Sequence, residues 1–65
     1  NMISDEEIKA RAENIGSMPL IMRSSVIDEF ESMSEGDDCD GIRQEYYPTW
    51  EDSDFLRVVE ILKAY

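Results

Sequence analysis

One cysteine, Cys39, and no histidine in 65 residues leave this chain without a disulfide or a zinc staple. Whatever it folds into must be held by apolar packing. A chain this short buries only about 60% of its unfolded surface, so its core has little margin. The same inventory removes zinc fingers, cysteine–histidine dyads and serine–histidine triads from consideration. Sixteen acids against six bases give a formal charge of −10. Attraction to phosphate therefore has the wrong sign for a direct nucleic-acid partner, and an anionic membrane repels the chain for the same reason. No apolar run approaches the roughly 18 residues of a membrane span, and no basic-plus-apolar leader opens the chain. A reduced, cytoplasmic setting is the expectation. Asn1 ahead of Met2 reads as an added residue, with Met2 the expected initiator.

The remaining solution is helix packing. Ser4 followed by Glu7 is a capping box, with Ile3 and Ile8 at the positions of a hydrophobic staple, and predicts a helix starting at Asp5. Ile8, Ala12 and Ile15 repeat at helical spacing, and Gly16 reads as the stop. Pro19 suits the first turn of a second helix, which should run to about Ser34. At 3.6 residues per turn, Leu20, Met22, Val26, Ile27, Phe30 and Met33 gather on one broad face, and Ile21 shares the opposite surface with Ser24, Asp28 and Glu31. The stretch from Glu35 to Gly41 has the composition of a loop. Ile42 to Tyr47 fits either a helical turn or an extended piece, closed by Pro48. Thr49 or Ser53 can cap the last helix, with Glu51, Asp52 and Asp54 in its acidic first turn. Phe55, Val58, Val59, Ile61, Leu62 and Tyr65 share one side, with Arg57, Glu60 and Lys63 opposite.

The expected fold is thus all-α: one small helical domain over residues 1–65, with long helices at about 5–15, 19–34 and 51–65 and a short helical turn near 42–47. Short connections favour a three- to four-helix bundle of antiparallel neighbours. The small core is compatible with a homodimer, and Tyr65 within an apolar stripe suggests a buried terminus or a docked partner.

Chemistry is sparse. An EF-hand reading of Asp37-Asp38-Cys39-Asp40-Gly41 fails in register: with Gly41 sixth, Gly36 falls where an aspartate is needed and Tyr47 where a glutamate is needed. Cys39 sits between Asp38 and Asp40, which disfavour its thiolate. Neither a metal, a cofactor nor an enzymatic activity is expected. Tyr46-Tyr47-Pro48 with Trp50 is the most informative cluster, because tyrosine and tryptophan dominate binding hot spots. Trp50 is expected in the core and the tyrosine pair at the surface. Seven acids and no base lie between Asp28 and Asp40, with Glu45 beside the tyrosines. Such a field speeds encounters with a basic partner. The residues therefore indicate a binding module for a cationic protein surface.

Phe30-Glu31-Ser32-Met33-Ser34-Glu35, an acidic glycine-containing loop, Tyr46-Tyr47-Pro48, and Asp52-Ser53 leading into a final helix together resemble the immunity proteins of nuclease colicins and pyocins. Ile3-Ser4-Asp5 is similar to the start of their first helix. The resemblance implies a small acidic four-helix protein that inhibits a DNase toxin, with Tyr46 and Tyr47 as shared anchors and Glu31 on a specificity helix beside Ser24, Ile27 and Asp28. This chain is shorter than that family, has a longer loop before the tyrosines, and carries Arg43 where the family has aspartate.

The functional expectation is a non-enzymatic inhibitor, an immunity protein binding a basic nuclease. Its contact residues would be Ser24, Asp28 and Glu31 on the second helix, Glu35, Asp38 and Asp40 in the loop, and Glu45, Tyr46 and Tyr47 beyond it. Two alternatives stay open: a phage- or plasmid-encoded mimic of nucleic acid that blocks a DNA-processing or defence enzyme through distributed carboxylates, and a small helical protein–protein adaptor.

Overall fold

The computed structural model describes residues 3–65, and among these it is all-helical. The expectation about Asn1 and Met2 lies outside the described residues. Helix α1 spans Asp5–Gly16, α2 Leu20–Ser34, α3 Ile42–Tyr46 and α4 Asp52–Leu62. The ambiguous segment before Pro48 is helical. Among the described residues, no helix is long and apolar enough to cross a membrane.

Ser4 caps α1 as expected, its Oγ accepting the Glu7 N–H at 3.2 Å. Gly16 is the last residue of α1 without a left-handed turn, and the ring of Tyr65 lies where a Cβ at this position would be. The cap of α4 is neither Thr49 nor Ser53 but Glu51. The Glu51 N–H donates to Asp54 Oδ2 at 2.8 Å, so a buried aspartate in the first turn satisfies the cap backbone. Asp54 Oδ1 also accepts from Arg57, whose NH1 donates to the Ile3 carbonyl at 3.0 Å and whose NH2 pairs with Asp5. This cluster ties the start of α1 to α4.

Helix α4 is the hub, packing against both α1 and α2 while those two touch each other less. It buries Phe55, Val58, Val59 and Leu62 against Ile8, Ala12 and Ile15 of α1 and Phe30 and Met33 of α2, with Trp50 closing the core. Tyr65 lies beyond the end of α4 and is 64% exposed, so the apolar stripe stops at Leu62.

The broad apolar face expected on α2 is only half used. Phe30 and Met33 are buried and Val26 and Ile27 partly so, but Leu20 and Met22 are 66% and 55% exposed. The first turn of α2 projects past the partners that would cover it.

Candidate functional site

The loop between α2 and α3 is built from its own acids. Gly36, Cys39, Asp40 and Gly41 have positive φ, values that glycine accepts freely and aspartate tolerates better than most residues. The Asp37 carboxylate accepts the Cys39 N–H at 2.8 Å, closing an Asx turn, and Asp38 Oδ1 accepts the Gln44 N–H at 3.1 Å, satisfying the first turn of α3. Burial pushes the Cys39 thiol pKa up, and Asp37, Glu29, Asp40 and Asp38 push it further in the same direction. The thiol points inward, toward the Glu29 carbonyl at 3.6 Å.

Arg43 fixes α3 to the bundle. Its NH1 donates to the Met33 carbonyl at 2.6 Å and pairs with Asp52 at 2.7 Å, while its guanidinium lies 5.0 Å from the centre of the Phe55 ring. One side chain thereby joins the end of α2, α3 and the start of α4.

The two tyrosines have different environments. Tyr46 is 66% exposed, as expected for a contact residue. Tyr47 corrects the expectation of a surface pair: its ring packs edge-on against Phe30, Trp50 and Phe55 at 4.9–5.4 Å between centroids. Its outer side carries the Arg11 guanidinium at 5.6 Å. Burial raises the Tyr47 pKa, Arg11 lowers it, and Glu29 raises it. Trp50 is in the core as expected.

Tyr46, Tyr47 and Trp50 line a groove of about 320 Å³ with Glu7, Ala10, Arg11 and Asn14 of α1. Asp38 shares a second groove with Arg43, Gln44 and Tyr47. Asp28, Glu31 and Glu35 lie elsewhere, along a groove of about 490 Å³ whose opposite wall is Leu56, Val59 and Lys63 of α4. The expected contact residues therefore do not form one site: Tyr46 and Tyr47 line one groove, Asp38 another and Asp28, Glu31 and Glu35 a third, with Ser24, Asp40 and Glu45 exposed and in none of them. The α2 acid that acts on the tyrosine side is Glu29, absent from the sequence expectation. Its signal was legible: Glu29 is one helical turn before Met33 and so flanks the core face. Glu7 and Arg11 were missed because their helix is distant in sequence from the tyrosines.

Among the described residues, the acids that form ion pairs are Asp5, Asp52 and Asp54. Those of α2, the 35–41 loop and α3 have no basic partner there. Carboxylates left in this way can accept hydrogen bonds from guanidinium and ammonium groups of a second molecule. Compared with protein-family models, curated proteins and solved structures, the chain matches none of them.

Proposed function

We propose that this chain is a non-enzymatic binding protein for a basic protein surface, an inhibitor of the immunity-protein kind whose target is a nuclease. The observation that carries the reading is the set of carboxylates on α2, the 35–41 loop and α3 that meet no base among the described residues, with Glu45 next to the exposed Tyr46 in α3. Their field steers a cationic partner, and Tyr46 supplies rigid amphipathic area at its edge. The resemblance of the tyrosine segment to nuclease immunity proteins supplies the class of target.

The test is inhibition of DNA cleavage by colicin- and pyocin-type nuclease domains titrated with the chain. The expected result is saturable inhibition of at least one domain, lost on Tyr46→Ala and weakened by Asp28→Asn with Glu31→Gln. Tyr46 is the cleaner probe of the pair, because Tyr47→Ala also removes core packing. Inhibition that survives Tyr46→Ala removes the anchor, and failure to bind any such domain removes the reading.

The separation of Asp28, Glu31 and Glu35 from Asp38 favours a second reading, a nucleic-acid mimic with carboxylates spread over several faces. That interface would weaken steeply with salt and tolerate Tyr46→Ala.

A further inference from the structure

We infer that the first turn of α2 is a self-association surface, at which two copies of this chain meet about a two-fold axis. The inference stands independently of the proposed function, because it uses apolar side chains of a stretch without acids and none of the proposed contact carboxylates.

Of the six exposed large hydrophobic side chains among the described residues, four lie at this end: Leu20 at 66%, Ile21 at 86%, Met22 at 55% and Tyr65 at 64%. Arg23 NH1 donates to the Gly16 carbonyl at 3.2 Å, and the Tyr65 ring rests on Gly16, so the turn and the ring adjoin. Successive residues of a helix point about 100° apart, so Leu20, Ile21 and Met22 make the turn apolar on three sides.

The charge pattern selects the occupant. From Asn14 to Ile27 the chain has no acid, and Arg23, half-buried on Gly16, is its only charged residue there. Helix stability does not explain the gap. A helix N-terminus favours negative charge, and α1 and α4 place Asp5, Glu6, Glu7 and Asp52, Asp54 in their first turns, whereas the first turn of α2 has no acid and no side-chain cap. A basic partner gains nothing from this end. For a second copy of a chain with charge −10, it is the approach that avoids setting carboxylates against carboxylates. An isologous contact of the apolar turns keeps the acidic flanks of both copies outward.

Sedimentation equilibrium of the full chain from micromolar to millimolar concentration, at low and high sodium chloride, tests this. The expected result is a monomer–dimer equilibrium that tightens as salt screens the repulsion between copies. Ile21→Glu should weaken dimerisation about tenfold or more. Its far-ultraviolet circular dichroism should be unchanged, since Ile21 makes no core contact. Leu56→Glu, at an exposed apolar position of α4, should leave the dimer intact. A chain monomeric throughout, a dimer that loosens in salt, a dimer indifferent to Ile21→Glu, or equal disruption by Leu56→Glu would each overturn the proposal. Binding of monomer to phosphatidylcholine vesicles through this turn, without dimerisation, would do so as well.

Discussion

Helices α4 and α2 have nearly the same mean apolarity yet opposite uses. Over its 11 residues α4 buries Asp54, Phe55, Val58, Val59 and Leu62, whereas α2, with 15 residues, buries only Phe30 and Met33. The difference lies in arrangement. The apolar residues of α4 recur on one stripe and meet α1 and α2 on both sides, while three of those in α2 stand consecutively at its start, where no geometry can turn all of them inward. One helix holds the domain together, and the longer one mainly displays surface.

The sharpest way to break this comparison is to truncate one apolar residue on each helix. Phe55→Ala should cost about 3–5 kcal/mol. Domains of this size are stable by roughly 0.05–0.15 kcal/mol per residue, so that loss should remove about a third or more of the total. Met22→Ala should stay within about 0.5 kcal/mol, the usual range for surface substitutions. Urea denaturation followed by circular dichroism measures both, and equal costs would show that α2 contributes to the core as α4 does.

A smaller effect sharpens the comparison at the point where the two helices are joined. Arg43→Met removes the charge-assisted bond to the Met33 carbonyl, the pair with Asp52 and the contact over Phe55, but leaves that carbonyl accepting the Gly36 N–H at 3.1 Å. The expected cost is about 1–3 kcal/mol, the range for a hydrogen bond involving a charged group. Arg43→Lys should restore only part of it, since an ammonium cannot reproduce the planar fork. Full rescue by lysine would mean that charge alone matters.

These cases mark what the sequence could reveal. The three long helices, their approximate limits and the core stripe of α4 follow from local periodicity and capping signals, because both ingredients lie within one or two turns of chain. The short α3 was undecided, for its five residues carry too little pattern to outweigh alternatives. Arg43 looked like a departure from a family pattern and proved to be a structural pin, because its partners Met33 and Asp52 come together only when α2 and α4 pack. Tyr47 was half misplaced for a related reason: it stays partly exposed in two grooves, but one side of its ring packs on Phe30, Trp50 and Phe55, which come together only in the fold. Glu51 was passed over as a cap because Thr49 and Ser53 are the better intrinsic choices, and tertiary burial of Asp54 overrode that preference. For the candidate site, Tyr46 and the loop acids were legible, but Glu7, Glu29 and the separation of Asp28, Glu31 and Glu35 from the tyrosines were not.

The smallest expected effect separates Tyr47 as a core ring from Tyr47 as an exposed phenol. Burial, its largest influence, raises its pKa above the ordinary 10.0, and Glu29 adds to the rise against the opposing Arg11. The neutral phenol is therefore favoured in the folded state. Its contribution to stability is fully present below pH 10.0 and is lost as pH climbs through the raised value. Cys39, raised from 9.0, loses its own contribution in the same direction at slightly lower pH, so the measurement belongs in a Cys39→Ala background. There the urea midpoint should hold steady to about pH 10 and then fall. Tyr47→Phe keeps the ring among Phe30, Trp50 and Phe55 but removes the titrating group, so it should flatten that alkaline limb while barely changing stability at neutral pH. An alkaline fall as steep in the phenylalanine variant would assign the titration to another group and return Tyr47 to the surface beside Tyr46.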